Sequence, residues 1–462
     1  MLGRRSSYVR RRESEERLPP TRKGLGMAAS DAEELLALAR AIGAEDPVCA
    51  SCVGRLIADR SFGLVNAERG RALRIMEAMV ADTPYEPPAD ADCWVCEGES
   101  TRAEWWAEQV VEALDGIDFE TYQVGCRVPP LLEENDRLFR ESVEVDPEAG
   151  EPLKRDLNRE VGKRVGEMTD TMVDFERADV VALLHLERDT VEVRINPAFV
   201  YGRYRKLERD IPQTEWPCRD CGSEGIQLGP DGPEPCEGCD GTGYRYDQSV
   251  EGFTAPVVAA AMGGEEGVFH GAGREDVDAR MLGTGRPFVI EVKEPTQRTP
   301  DLDAIETSIN TEGNGAVEVE GLTFASHEMV ERVKGLDASK TYRATVAFDD
   351  RVSADDLNAA IDELDGTTVE QYTPNRVDHR RASLTRERTV YNIEATLEDP
   401  TTATVELHGE GGLYVKELIS GDDGRTEPSL AGLLDVNATV DALDVLAVEG
   451  EEEPFAIDAM LV

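Results

Sequence analysis

Eight of the nine cysteines in this 462-residue chain fall into four C-x-x-C pairs: Cys49/Cys52, Cys93/Cys96, Cys218/Cys221 and Cys236/Cys239. Such a pair puts two sulfurs on one tight turn. Two pairs together can supply the tetrahedral thiolate shell of a structural zinc ion. The first two pairs are separated by helix-like sequence and are read as one Cys₄ site. The alternative is two unrelated reduced pairs; a thioredoxin-like redox motif is disfavoured because no βαβ pattern surrounds either. The last two pairs enclose fourteen residues rich in Gly and Pro, the strongest metal signal in the chain. The second of these knuckles, CEGCDGTG, has the C-x-x-C-x-G-x-G form seen in the DnaJ cysteine-rich domain, without the flanking sequence of that chaperone. This usage fits a reducing compartment rather than a disulfide scaffold. Cys126 stands alone and reads as a small buried hydrophobe.

Charge narrows the class further. The chain has 95 Asp and Glu against 49 Lys and Arg, a net −46, and only 8 of the cations are Lys. With 40% hydrophobic residues in periodic patterns, it is not a disordered acidic solvating chain. The composition matches a folded cytoplasmic protein of a halophile, where molar salt shortens the Debye length to about 3 Å and local arginine clusters outweigh total charge. No stretch reaches the ~18 apolar residues of a membrane span, so no membrane partner is expected.

Residues 1–26 carry 8 Lys/Arg and 3 Asp/Glu without an apolar period. They read as a disordered basic segment, either an RNA-binding arm or translation upstream of a natural start at Met27. Residues 27–115 read as a helical zinc-binding region, with helices over 31–42, 67–81 (Leu73, Met76, Met79 and Val80 inward) and 103–114. Residues 116–217 change to an α/β pattern: a strand over 119–128, an amphipathic helix over 154–173 with Leu157, Val161, Val165, Met168 and Met172 on one stripe, and a hairpin over 180–195. The run YGRYRKLER then interleaves Arg203, Arg205, Lys206 and Arg209 with Tyr201 and Tyr204. Cations with aromatics suit phosphate contact and base stacking; a helix end with salt bridges is the bland alternative. Residues 218–247 form the zinc-knuckle insertion, and 248–462 the last domain. There 340–348, 389–397, 402–408 and 412–419 read as strands, with Ser353 capping a helix over 357–364 and a last helix over 428–434. The whole is α+β, with a mainly antiparallel mixed sheet at the C-terminal end.

One stretch concentrates chemistry. FHGAGREDVDARMLGTGRPFVIE, residues 269–291, sets Asp276 and Asp278 between Arg274 and Arg280 on a Gly-rich turn before the apolar run Phe288–Ile290. A carboxylate between guanidiniums would have its pKa held down, as a nucleophile or base requires. A surface loop with salt bridges is the competing reading.

The stretch resembles motif II of the pseudouridine synthases, in which the Asp follows Arg-x. Its full wording resembles the archaeal and eukaryotic tRNA pseudouridine synthases of the Pus-ten family. YGRYRKLERDIPQT resembles that family's THUMP-containing accessory region, KTYRATV its tyrosine motif, and GGLYVKELISGDDGRTEPSL its third motif. The resemblance covers most of residues 30–450. It implies an isomerase of the pseudouridine synthase fold that turns uridine into pseudouridine at positions 54 and 55 of tRNA, with no organic cofactor. It implies Asp276 as the catalytic carboxylate, with Asp278 as the fallback, and Tyr342, Tyr414, Lys416 and Arg274 around the flipped base. Arg376, Arg380 and Arg381, in the net-basic segment 374–390, would lie on a loop gripping tRNA, and Arg203, Arg205 and Lys206 would add contacts. A monomer is expected. The alternatives are a non-catalytic zinc- and THUMP-based tRNA-binding protein, or a THUMP methyltransferase or thiolase; the latter two are disfavoured by the absence of a Rossmann glycine pattern or P-loop.

Overall fold

The structure is a computed structural model and describes residues 28–43, 47–87, 92–229, 232–335, 338–377, 383–449 and 458–461. The basic segment 1–26 lies outside the described residues, as do Arg380 and Arg381. The chain divides into two compact units: residues 1–107 with 126–164 and 184–190, and residues 108–125 with 165–183 and 191–462.

In the first unit, helices Ala28–Ile42, Ala50–Arg55, Asn66–Ala81 and Pro130–Ser142 are the main elements, together with the part of Leu153–Thr169 up to Arg164. The helices Ala50–Arg55 and Asn66–Ala81 cross at Gly54 and Gly70. A Cβ at Gly54 would fall 1.8 Å from the Asn66 carbonyl oxygen, and one at Gly70 1.8 Å from that of Ala50. Only glycine allows backbones this close. Two inward residues expected from periodicity point outward: Met79 is 71% exposed and Val80 also faces solvent, while Leu73 is buried. The helix expected over 154–173 ends at Thr169. Met172 belongs to a short strand, Met172–Val173, and both it and Met168 are exposed. Asp170 takes a left-handed φ of 55°, which breaks the helix before the stripe is complete.

Residues 121–195 supply a four-stranded sheet in the order Met172–Val173, Thr121–Arg127, Val180–His185, Thr190–Ile195. The first pair is parallel. The second unit is built on a larger sheet. Its spatial order is Val317–Ala325, Ala198–Lys206, Arg280–Lys293, Ala438–Glu449, Ser339–Phe348, Thr402–Gly409, Thr385–Asp399, Thr368–Tyr372 and Thr426–Glu427, with Glu266–Gly271 paired to Arg280–Lys293. Every pairing is antiparallel except Ala438–Glu449 with Arg280–Lys293. One continuous apolar core backs this sheet, from Val200 and Phe288 through Ala344 and Val346 to Leu418 and Val445.

Two expectations are corrected here, and one strand is added. The strand Ala198–Lys206 pairs with Val317–Ala325 and Arg280–Lys293, so the last domain begins before the cysteine insertion rather than at 248. Residues 412–419 are not a strand: Val415–Ser420 is a helix ended by Gly421 at φ 78°, with Val415, Leu418 and Ile419 buried at i, i+3 and i+4. The alternation G-L-Y-V-K-E-L-I fits both periods over so short a run. The central strand Ala438–Glu449 lies beyond the last element expected from sequence: its acidic residues Asp441, Asp444 and Glu449 keep no period-2 alternation, and its pairing with Ser339–Phe348 shifts register twice.

Candidate active site

The turn that carries Asp276 lies between strands Glu266–Gly271 and Arg280–Lys293. After Met281 the second strand bulges, and pairing with Ala198–Lys206 resumes at Arg286 opposite Tyr204. Gly283 and Gly285 allow this with φ of 53° and 69°. A Cβ on Gly283 would fall 2.1 Å from the Leu446 oxygen.

Beneath the turn sits a buried charged cluster. Glu275 and Arg286 form an ion pair at 2.8 Å, with side chains 0% and 1% exposed. The Tyr204 hydroxyl donates to Glu275 at 2.9 Å and accepts from Gln213 Nε2 at 2.8 Å. Burial, then the neighbouring Glu275 charge, pushes the Tyr204 phenol well above its usual range. Lys206 Nζ donates to the main-chain oxygens of Ile211 (2.7 Å), Asp276 (3.2 Å) and Val277 (3.1 Å). Burial pulls the Lys206 ammonium down, with Glu275 opposing. Arg209 Nη1 donates to the Asp278 carbonyl at 2.8 Å. Three successive carbonyls of this turn are thus held by the last residue of one strand and the segment that follows it.

This corrects the reading of the YGRYRKLER cations as an RNA-facing row. Lys206 is fully buried. Arg205 is paired with Glu318 and Glu320 at 3.2 and 2.8 Å. Arg203 donates to the carbonyls of Thr284, Gly285 and Val448. The period-2 rule held the clue: Tyr204 and Lys206 share one face of the strand, Arg203 and Arg205 the other. Glu275 was missed altogether, since sequence gives no sign that it turns inward between two outward neighbours.

Above the turn opens a cavity of about 360 Å³, lined among others by Arg274, Asp276, Tyr342, Arg376, Tyr414 and Lys416. Lys416 lies 2.8 Å from Asp278 Oδ2 and 3.4 Å from Asp276 Oδ2. Arg376 Nη1 donates to Asp276 Oδ2 at 3.0 Å, while its Nε donates to the buried Glu417 at 2.7 Å. Burial would raise the Asp278 carboxyl, but the hydrogen bond and charge of Lys416, with Arg376, hold it below its usual range. Tyr342 is buried at the cavity wall. Its phenol is pushed up to about 12 by burial, with Arg286 opposing and Asp276 adding to the rise. Tyr414 is fixed through its backbone: its N–H donates to Gln371 Oε1 at 2.8 Å, and Gln371 Nε2 donates to its carbonyl at 2.9 Å.

Two expectations about cations change. Arg274 and Arg280 are not the partners of Asp276. Arg280 pairs with Asp444 at 2.7 Å, and Arg274 stacks on Trp216 with 4.8 Å to the ring centroid. Arg376, read from sequence as a tRNA-gripping residue, instead reaches the carboxylate. A larger groove of about 560 Å³, lined mainly by Pro256, Val257, Ala260, Ala304 and Ile305, brings none of these residues together.

The cysteines form two clusters, Cys49/Cys52/Cys93/Cys96 and Cys218/Cys221/Cys236/Cys239, each with all sulfurs within 4.8 Å of one another. The Cys49–Cys96 and Cys52–Cys93 sulfurs stand 3.7 Å apart; Cys218–Cys236 and Cys221–Cys239 stand at 3.9 and 3.7 Å. A tetrahedral zinc with Zn–S bonds near 2.3 Å implies S···S edges of roughly 3.8 Å. The donor sets therefore fit the ion. In the first cluster burial drives the Cys52 thiol up, while hydrogen bonds from Cys49 and Cys52 drive Cys93 down. A cation is what allows four adjacent sulfurs to be thiolates together.

The family model for the Pus10 C-terminal region matches residues 199–449, the span from the strand Ala198–Lys206 to the end of Ala438–Glu449. The model for the archaeal Pus10 THUMP domain matches residues 106–185. The tRNA pseudouridine synthase Pus10 of Halorubrum lacusprofundi is 63% identical over 417 residues, covering 90% of this chain and 96% of its own. That of Methanothrix thermoacetophila is 41% identical over 444 residues, covering 91% and 95%. A solved structure of a pseudouridylate synthase shares 13% identity over 56% of this chain and 65% of its own, with a TM-score of 0.19, too loose a likeness to carry an argument. The chain belongs to the Pus10 family of tRNA pseudouridine synthases.

Proposed function

We propose that Asp276 is the carboxylate that carries the isomerisation of uridine to pseudouridine in this chain, at positions 54 and 55 of the tRNA T-loop. The observation that carries the reading is the convergence of Asp276, Tyr342, Tyr414, Arg376 and Lys416 on one cavity. The target base has to leave its stack, at a cost of a few kcal/mol that stacking and backbone contacts offset. The C1′–N1 bond breaks, the detached uracil turns over, C5 bonds to C1′, and the proton on C5 is lost while N1 gains one. Atoms and electrons balance without an oxidant, a reductant or an organic cofactor.

Each side chain has a task. Asp276 acts as nucleophile at C1′ or as base at C2′. Arg376 and Lys416 fix its orientation from two sides. Tyr342 stacks on the uracil and, as a neutral phenol, relays the C5 proton. Tyr414 closes the wall where the ribose lies. Asp278, its side chain 63% exposed against 40% for Asp276, serves to hold Lys416. The two cysteine clusters hold structural zinc. Paired free thiols fit a reducing cytoplasm, and among the described residues no helix is long and apolar enough to cross a membrane.

The test is pseudouridine mapping in unmodified tRNA treated with the purified protein. Asp276→Ala should abolish product while tRNA affinity stays within several-fold. Product from Asp276→Ala together with its loss in Asp278→Ala would move the catalytic role two residues along the chain. Absence of product from the unsubstituted protein would favour a tRNA-binding role alone.

A further inference from the structure

Most cations around the active site are already engaged. Arg203, Arg205, Lys206, Arg209, Arg280, Arg376 and Lys416 each bond a carboxylate or a carbonyl of this chain. Two exposed arginines differ. Among the described residues Arg245 and Arg274 have no carboxylate within ion-pair distance, in a chain with 95 acidic residues against 49 basic. Both stack on one ring instead. The Arg274 guanidinium carbon lies 4.8 Å from the Trp216 centroid and that of Arg245 lies 5.6 Å from it. Tyr246 meets the Trp216 ring edge-on at 5.5 Å, 79° between planes, and Arg245 also lies 5.5 Å from the Tyr246 ring.

The second cysteine cluster holds this group in place. Trp216 lies two residues before Cys218, and Arg245 six after Cys239. Their backbones close into a clasp: the Arg245 N–H donates to the Trp216 carbonyl at 2.9 Å, the Cys218 N–H to Gly243 at 2.8 Å, and Pro217 bridges to Tyr244. The four sulfurs therefore fasten the ribbon next to its base, where the clasp carries the stack. At that base Arg274 both lines the catalytic cavity and covers Trp216.

We propose that Trp216, Arg245, Tyr246 and the outer face of Arg274 form a stacking platform for the nucleotide next to the extruded uridine. This rests on the reading that the cavity takes that uridine. While the base occupies the cavity, the chain that leaves it past Arg274 is the adjoining nucleotide of the same strand. The outer plane of the Arg274 guanidinium, seated on the Trp216 indole, offers a flat face for its base, and the two guanidiniums without carboxylate partners offer positive charge for its phosphate. The ribbon is then a device that presents this platform, not a separate domain.

The probe is an unmodified T-arm stem-loop transcript, with binding measured in an Asp276→Ala background at a salt concentration where the protein is folded. Trp216→Ala should weaken binding by about fivefold to 150-fold, the range for loss of one stacked base. Trp216→Phe should restore most of it. Addition of the transcript should quench the tryptophan emission that distinguishes the Trp216 protein from Trp216→Phe. Unchanged affinity in Trp216→Ala overturns the proposal, as does equal weakening by Ala and Phe with lowered thermal stability, which marks a structural role only. An unsubstituted protein that makes pseudouridine while its Trp216 variants behave normally sinks the platform alone. One that makes no pseudouridine sinks the functional reading beneath it.

Discussion

The two cysteine clusters have the same sequence spacing within each pair and nearly the same sulfur geometry, yet they are built into the protein in opposite ways. The first lies in a helical core. Cys49 caps Ala50–Arg55 by accepting from the Cys52 N–H, and all four cysteines are at most 1% exposed. Cys52 accepts from Arg55, which is itself fully buried and paired with Asp136 at 2.7 Å. Arg140 pairs with the same Asp136 and donates to the Glu151 carbonyl, and the Glu151 N–H returns to Arg55. The second cluster has no such hinterland. Its buried apolar neighbours are its own cysteines, its sulfurs accept from the N–H groups of Gly225 and Gly243, and its hairpin exposes Ile226 and, at 90%, Leu228. A metal in the first would organise a core; in the second it would hold a loop shut.

The largest effect expected follows from the first design. Structural zinc in small domains binds with an apparent free energy of about 10–16 kcal/mol, comparable with the total stability of a domain at about 5–15. Cys96→Ser should therefore abolish the cooperative melting of the helices in residues 28–164 and expose them to protease. Native-like circular dichroism and protease resistance in that variant would erase the distinction between the clusters.

Next comes Arg55, the residue that makes the first cluster part of a charged core. Removing one member of a buried ion pair leaves the other uncompensated, typically at about 3–5 kcal/mol. Arg55→Met should cost that order in denaturant unfolding. Asp136→Leu added to it should cost less than the sum of the two single variants, because Arg55 and Asp136 lose one shared bond, although Arg140 is then also left without its carboxylate. Fully additive losses in the double variant would mean that Arg55 stabilises through Cys52 rather than through Asp136.

Cys236→Ser tests the other side at smaller cost. Its cluster is backed by hairpin rather than core, so the main melting transition should move by only a few degrees, about 1 kcal/mol or less. Affinity for the T-arm transcript should fall several-fold as the ribbon next to Trp216 opens. A collapse of the whole second unit would show that the ribbon supports the sheet after all.

Legibility in the sequence follows the same divide between local and long-range causes. The C-x-x-C pairs, the Ser353 cap and the strand Ser339–Phe348 obey short-range rules and could be read directly. The Asp276 turn could be read as a motif. Its surroundings could not, because they come from pairings far apart in the chain: Lys206 reaches Asp276 across 70 residues, and Arg376 reaches it across 100. The cations nearest in sequence, Arg274 and Arg280, looked like the partners of Asp276 for the same reason that they are not. Neighbours on a tight turn diverge, Arg274 toward Trp216 and Arg280 toward Asp444. Glu275 shows the limit most plainly, since a charged residue between two outward ones turns into the core only because Arg286, Tyr204 and Gln213 wait there.

The smallest effect concerns the order in which thiols react. With metal in place all eight paired sulfurs should resist an alkylating reagent, because the coordinated thiolate is shielded. After chelation in native buffer the second cluster should label first, Cys221 leading because it alone among the nine is not buried. The first cluster should follow at the rate at which its helices open. Cys126 should label last. Burial drives its thiol up to about 12, with Lys154 opposing and Glu99 and Glu133 adding a little, so the reactive thiolate is disfavoured at pH 8. It also donates to the Lys154 carbonyl. Mass spectrometry of the labelled peptides reads all nine positions at once. Labelling of Cys49 or Cys93 ahead of Cys221 would mean that the helical core opens more readily than the ribbon, and the contrast between an organising metal and a fastening one would have to be reversed.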